Sequence, residues 1–596
     1  MYYFIKENFY GDLNNDNQLR LTGPGNHLLC GLQFPQDLDV QIERVELENE
    51  QFIVALNIPT QVLRLTIPLV CDIRTLRSHT EQKIPRPSFE DLLKQNIDAV
   101  MPRFYQLSRK PMGSELRFWN EYKDLHVLYH YGCTILVSKE DQIFRRGKWL
   151  KISTTRPSIS MIVVATTNIT IDDPLKGSLF QSHTLTSQQS LDPWMVKLHE
   201  TLGLEIDHLI RTKKTSSFEY GTIFPRDWIE AADLGEGDFT PETIAYMYNQ
   251  SMRYINEKGE GWHEDIIGEY KTKLSESDTF IDRKMIDIEP HYILGFERLP
   301  ADFLAQDEIR QKMKLVAHFI MQNASQQTYI SFKRLPHDDG YYLVGNWRDS
   351  AEAFPRQKSP LSPFDVNCVF YPRALELLRK HAGYFDLEPQ IKQLEELIDR
   401  WQQHKLRFRL YHDDTLIGYS LALHGKKNIP LPLAHLDEAY DLFYGQPSME
   451  EVDSFARKLI DPDYFYTPVG PLLVDADDDY FSTRQYHGKV IWPKQTAFAV
   501  AGLARQLRWG LQQAWPTPVM TSIKKSIRVT CEASFRGWRD LNSVPELYYY
   551  DHESRTAKFY TDQPEFEGQM SLIQLWSAVG GRRIIREYAE VIGKNS

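Results

Sequence analysis

The chain has 596 residues, 42% hydrophobic and 25% charged, with a formal net charge of −12. That length exceeds what a single hydrophobic core usually fills, so two domains are expected, and the hydrophobic share excludes a disordered chain. The negative balance excludes a nucleic-acid groove or an anionic membrane surface as the main partner, because both need clustered Lys and Arg; a neutral or polar substrate fits better.

Up to about residue 180 the pattern has period two, broken by turns. Leu38-Asp-Val-Gln-Ile-Glu-Arg-Val-Glu-Leu, Phe52-Ile-Val-Ala-Leu-Asn-Ile, Val127 to Val137 and Ile159-Ser-Met-Ile-Val-Val-Ala-Thr-Thr read as strands. Many short strands of this kind predict an N-terminal antiparallel β-sandwich over residues 1–180, with a short helix near Phe89 to Val100. The stretch Asp12 to Gln18 imitates half a calcium loop, but it has no Gly at the sixth position and Gly23 where a carboxylate belongs, so a polar turn is expected. Asp475-Ala-Asp-Asp-Asp479 fails the same test. No metal and no cofactor is expected. Cys30, Cys71, Cys133, Cys368 and Cys531 lie far apart without a CxxC pair and read as free thiols of a reducing compartment. With no apolar run long enough for a signal peptide or a membrane span, a cytoplasmic protein is expected, and Asn168-Ile-Thr and Asn323-Ala-Ser are then chance glycosylation patterns.

Residues 181–192, with the polar stretch Ser182 to Ser190, read as a linker. The period then changes. Asp192-Pro193 and Thr240-Pro241 each set a capping side chain before a proline at the first helical position. Further amphipathic segments lie near 307–322, 367–382, 389–404, 435–444, 449–459, 494–513, 517–533 and 571–591. About ten helices over 193–596, joined by long polar loops, predict a toroid of helix pairs with a central pit and its loops gathered at one end.

Five clusters fall in the stretches between those segments. They are Phe224-Pro-Arg-Asp-Trp-Ile, Gly261-Trp-His-Glu-Asp265, Asp287-Ile-Glu-Pro-His-Tyr292, Gly345-Asn-Trp-Arg-Asp-Ser350 and Ser543-Val-Pro-Glu-Leu-Tyr-Tyr549. Each sets a carboxylate beside Trp, Tyr or His. Aromatic faces suit the C–H surfaces of a pyranose, and carboxylates with a guanidinium suit its hydroxyls. Read singly, Arg226-Asp227 is more simply a buried ion pair and Asp349 a helix cap; the succession of clusters is what points to a sugar site. Cleaving a glycosidic bond takes two carboxyl groups, one protonated for the leaving oxygen and one ionised for water or carbon.

In this order the residues resemble the C-terminal amylo-α-1,6-glucosidase region of glycogen debranching enzymes, within the six-hairpin (α/α)6-barrel glycosidases that include glucoamylases and trehalases. The resemblance covers about residues 190 to 590. Phe224-Pro-Arg-Asp-Trp-Ile is similar to that family's Gly-Arg-Asp segment, Trp262-His-Glu264 to its His-Glu pair, and Ile286-Asp-Ile-Glu-Pro-His-Tyr-Ile-Leu294 to its Asp-Ala-Thr-Pro-Leu-Phe. Asn346-Trp-Arg-Asp-Ser350 resembles Thr-Trp-Met-Asp-Ala, and Pro363 to Leu375 resembles Pro-Val-Glu-Ile-Asn-Ala-Leu-Trp-Tyr-Asn-Ala-Leu. Tyr486-His-Gly-Lys-Val-Ile-Trp-Pro493 resembles His-Gln-Gly-Thr-Val-Trp-Pro, and Ser543-Val-Pro-Glu546 followed by Leu575-Trp-Ser-Ala578 resembles Ser-Ile-Pro-Glu followed by Ala-Trp-Ser.

The resemblance implies an (α/α)6 catalytic domain and an inverting glycoside hydrolase acting on an α-glucosidic linkage of a small oligosaccharide or disaccharide. It implies that Asp349 is the general acid and Glu546 the general base, with Arg226, Asp227, Trp228, His263, Glu264, Asp287, Trp347, His487 and Trp492 binding the sugar. Two alternatives stay open: a disaccharide-specific hydrolase of trehalase, sucrose or glucosylglycerate type on the same barrel, and a carbohydrate-binding protein without activity. The chain departs from the family at Arg348, where an apolar residue is usual and where a cation opposes the protonated form an acid needs. It also departs at Phe224-Pro225 and in an acidic, aromatic insert from Asp551 to Glu567.

Overall fold

The computed structural model describes residues 2–13, 17–23, 28–66, 104–111, 113–123, 128–146, 149–169, 175–181, 191–217, 222–264, 283–334, 345–350, 352–355, 359–413, 415–566 and 570–593. The expected helix at 89–100, the polar stretch 182–190 and Cys71 lie outside them. The chain divides into two compact units: the first holds the described residues up to 169 with 207–217 and 222, the second those of 175–206, 223–264 and 283 onwards.

The first unit is antiparallel throughout. Its seven-stranded sheet has the order β1 (Tyr2–Lys6), β2 (Phe9–Leu13), β3 (Gln18–Thr22), β4 (Leu28–Gln33), β7 (Val62–Thr66), β12 (Trp149–Ser153), β11 (Gln142–Arg146). The six-stranded sheet runs β5 (Gln41–Glu48), β6 (Gln51–Ile58), β13 (Ile159–Thr167), β10 (Leu128–Ser138), β9 (Gly113–Lys123), β8 (Phe104–Lys110). Alternation decides which face is buried: in β6, Phe52, Val54, Leu56 and Ile58 point inward and their neighbours outward. Leu19, Leu21, Cys30 and Leu32 of one sheet meet Phe52, Val54, Phe118, Cys133 and Ile135 of the other in a single core. Asp12, set in the mock calcium loop, is instead bound by Arg20 (2.7 Å) and by the Tyr10 hydroxyl (2.7 Å).

The second unit is helical. It contains α1 (Pro193–Arg211, of which the part up to Ile206 belongs to this unit), α2 (Pro225–Leu234), α3 (Pro241–Ser251), α4 (Ile288–Leu294), α5 (Asp307–Gln326) and α6 (Tyr371–Lys380). There follow α7 (Ile391–Lys405), α8 (Glu438–Tyr444), α9 (Met449–Leu459), α10 (Pro493–Gln512), α11 (Thr517–Leu541) and α12 (Leu575–Gly593). Two kinds of helix alternate. Every residue of α2, α4 and α8 is buried. In contrast α5, α7 and α9 bury one stripe each, as with Leu394, Leu397, Ile398 and Trp401 of α7. The buried helices pack in sequence, α2 on α4, α4 on α6, the π-helical turn Asp365–Phe370 that leads into α6 on α8, α8 on α10, α10 on α12, and α12 on α2.

Two expectations need correcting here. Phe224 to Ile229 and Asp287 to Tyr292, expected between helices, instead open α2 and α4. At ten and seven residues, α2 and α4 are shorter than the stretch over which a helical period is read. Asp349 caps no described helix; residues 345–350 run through bends. Among the described residues no helix is long and apolar enough to cross a membrane.

Candidate active site

The site is assembled at helix starts. Pro225 occupies the first helical position of α2, after Phe224 with φ −107° and ψ 113°, and places Arg226 and Asp227 in the first turn. A cation there opposes the helix dipole, so Arg226 needs carboxylates. Its Nη1 donates to Asp287 Oδ2 at 3.3 Å, and its Nε lies 3.5 Å from Asp227 Oδ1. All three side chains are buried. Burial drives the Asp227 carboxyl up to about 7, although Arg226 and Lys494 pull it down. Asp287 is raised for the same first reason, against the pull of Arg226.

The Asp287 segment is held to the Trp347 segment by Ile286 N–H donating to Gly345 O at 2.7 Å. Two residues beyond Trp347, Asp349 keeps 23% of its side chain exposed and lies 3.6 Å from His263 Nε2. The charge of Asp349 also reaches Arg226 and Asp227. Arg348 turns the other way. Its Nε and Nη2 grip Asp437 at 2.7 and 3.1 Å, and it donates further to the carbonyls of His487 and Leu473. The cation beside the expected acid is thus spent on a buried bidentate pair.

His487 is fully buried, and burial first of all pushes its imidazole well below the usual range, so the ring is neutral. Its Nδ1 hydrogen-bonds with Ser350 Oγ, one residue from Asp349. The ring stacks on Trp492 at 5.4 Å and meets Trp347 edge to face at 5.3 Å. Trp492 itself is fixed by Nε1–H donating to Tyr486 O and by the backbone pairing of Ile491 with Tyr548.

That pairing carries the Ser543 to Tyr549 segment alongside. Glu546 is 1% exposed and both its oxygens are engaged: Tyr486 Oη donates to Oε1 at 2.6 Å, and Ser571 N–H to Oε2 at 2.7 Å. Its own N–H donates back to Ser571 O at 2.9 Å. A run of neighbouring groups, Asp349, Ser350, His487, Tyr486 and Glu546, therefore connects the two carboxylates singled out in the sequence.

The structure brings Arg226, Asp227, Asp287, His263, Asp349, Trp347, His487 and Trp492 into one neighbourhood. Glu264 is half-buried beside His263. Trp228 is fully buried, and its ring contact is with Tyr246 of α3. Arg226 Nε, Asp227 Oδ1, Asp287 Oδ1, Trp347 Nε1 and His487 Nε2 are buried without a hydrogen-bond partner among the described residues. Buried polar atoms are nearly always bonded; Arg226 Nε and Asp227 Oδ1 face each other as an ion pair at 3.5 Å, and the other three are groups that the hydroxyls of a ligand could satisfy.

Sequence reasoning passed over Lys494, Glu230 and Tyr486. Lys494 follows Trp492-Pro493 as Arg226 follows Phe224-Pro225, and both helices begin from φ −107°. An aromatic residue, a proline and a buried cation at a helix start was the signal that could have found it.

No protein-family model matches the chain, and no curated protein does. Among solved structures it is similar to a GH63 mannosylglycerate hydrolase from Thermus thermophilus, with 11% identity, a TM-score of 0.43 and coverage of 66% of this chain and 99% of that one. It is also similar to a GH78 family rhamnosidase of Bacillus sp. GL1, with 10% identity, a TM-score of 0.43 and coverage of 78% and 47%. A sialidase matches at 9% identity and a TM-score of 0.39 over 94% of this chain and 59% of its own. Likenesses this loose bear on neither reaction nor substrate, which rest on the side chains.

Proposed function

We propose that the chain is an inverting glycoside hydrolase acting on an α-glucosidic linkage, with its site in the pit of an (α/α)6 toroid over 193–596 and a separate β-sandwich domain over 1–180. The order of helix packing, returning from α12 to α2, supports the toroid. What supports the reaction is a part-exposed Asp349 and a buried, doubly anchored Glu546 that are linked through Ser350, His487 and Tyr486.

In this reading Asp349 gives its proton to the glycosidic oxygen. Glu546 takes one from a water that attacks the opposite face of the anomeric carbon, a geometry that needs about 6.5–9.5 Å between the two carboxyl groups. Tyr486 and Ser571 fix the direction of the Glu546 oxygens, so the base does not reorganise during the reaction. Asp437 draws the Arg348 guanidinium away from the acid. Arg226, Asp227 and Asp287 take the sugar hydroxyls, and Trp347 and Trp492 take its apolar faces. His263 and Glu264 border the acid.

The test is a screen of maltose, isomaltose, trehalose, sucrose, kojibiose, nigerose and limit dextrin, with the first sugar released followed by proton NMR. The reading predicts glucose from at least one of them, appearing first as the β-anomer. The α-anomer first would mean retention, and sugar bound without any release would leave a carbohydrate-binding protein.

A further inference from the structure

Lys494 is a charged group buried at the second residue of a helix, in a position that dipole and solvation both disfavour. Its surroundings compensate. The ammonium lies 4.0 Å from the ring centroid of Trp347 and 4.0 Å from that of Trp576, and 3.0 Å from Glu230 Oε2. Glu230 is held from other helices as well: Tyr440 Oη donates to its Oε1 at 2.8 Å, and His291 Nε2 lies 3.7 Å away. Glu230, His291, Tyr440, Lys494 and Trp576 come from α2, α4, α8, α10 and α12, five of the successively packed helices. Trp492 joins this cluster to the sugar-site aromatics, set edge to face against both Trp347 (5.6 Å) and Trp576 (6.0 Å).

We propose that Lys494 is a positioning residue for the sugar pocket: its ammonium, clamped between the indoles of Trp347 and Trp576 and tied to Glu230, fixes the plane of Trp347 beside Asp349. This rests on the sugar-hydrolysing reading of the same site. The cation–π contact works at both ends, because an ammonium shielded from water is attracted to the faces of both rings and holds them. The field of Lys494 also acts on Asp227. Burial raises that carboxyl to about 7; Arg226 and Lys494 oppose the rise, while Glu230 and Asp349 add to it. Removing the ammonium takes away one of the two opposing charges, so Asp227 stays protonated to a higher pH, where one of its oxygens becomes a donor and its hydrogen bonds from hydroxyls lose their charge assistance.

The experiment compares Lys494→Met and Lys494→Arg with the wild type in the full-length chain. It measures kcat and KM across pH on the best glycoside from the screen, D-glucose affinity by tryptophan fluorescence, and thermal unfolding. Lys494→Met is expected to raise KM at least about tenfold, with a smaller change in kcat, and to move the acid limb of kcat/KM to higher pH. Lys494→Arg restores the acid limb and part of the affinity. An unmoved acid limb and unchanged KM in Lys494→Met overturn the proposal. So does an arginine variant that folds as well as the wild type yet matches Lys494→Met in every kinetic parameter. Should Lys494→Met not fold, the arginine variant decides it: the proposal requires a raised KM and weaker D-glucose binding with the acid limb kept, and wild-type values throughout overturn it. Should the wild type release no sugar from any substrate while the variants still shift D-glucose affinity, the hydrolase reading fails and the role of Lys494 stands. If the wild type neither releases sugar nor binds D-glucose, both fail.

Discussion

At the scale of single residues, a charge next to a catalytic group need not act on it. Arg348 adjoins Asp349 in sequence, yet its guanidinium is buried against Asp437, which also faces the buried Asp365. Asp365 in turn accepts from the Asn346 amide nitrogen with both of its oxygens, at 2.9 and 2.8 Å. Cutting one partner from such a pair strands the other as a buried charge, a loss of about 3–5 kcal/mol. Arg348→Met is therefore expected to lower the melting temperature sharply, and Asp437→Asn added to it should recover part of the loss. A single variant that melts with the wild type would show the pair to be dispensable. The types of residue at the site were legible in the sequence, since carboxylate, Trp and His recur in the quoted segments. Their partners were not. Arg348 finds Asp437 and Tyr486 finds Glu546 across 89 and 60 positions of chain, distances over which no local pattern operates.

At the scale of elements, α2 and α4 are the chemistry-bearing helices that periodicity misses, whereas α8 and α10 fall in the segments expected at 435–444 and 494–513. The stripes of α5, α7 and α9 mark them as helices, whereas α2 and α4 are covered on every side and were read as loops. What betrays α2 and α10 is their start, Phe224-Pro225-Arg226 and Trp492-Pro493-Lys494, where proline fixes the first turn and the following cation is turned inward. Close packing between covered helices leaves its own mark. A Cβ at Gly502 of α10 would stand 2.7 Å from Leu442 Cβ and 3.1 Å from the backbone of α8. Gly502→Ala gains about 1 kcal/mol of helix propensity, but forcing two covered helices apart costs about 1–3 kcal/mol. Net destabilisation is expected in urea unfolding, and a more stable variant would mean that α8 and α10 can separate freely.

At the scale of the whole molecule, the two units divide the work by the kind of core they build. The sheets meet over aliphatic and aromatic side chains with two buried free thiols, Cys30 and Cys133. The helical unit instead buries a layer of charge and aromatic rings, among them Arg226, Asp227, Glu230, Asp287, Lys494 and Glu546. Buried charge at this density costs stability, and perturbed groups gather where chemistry is done. The central claim is that Asp349 and Glu546 are the acid and the base of that site. The most direct test is kcat for Asp349→Asn and for Glu546→Gln on the best substrate, each checked by circular dichroism to be folded. General acid–base catalysis contributes about 10²–10⁴-fold, so each variant is predicted to lose at least about a hundredfold. Retention of more than about a tenth of the wild-type rate by either folded variant would contradict the assignment of that residue.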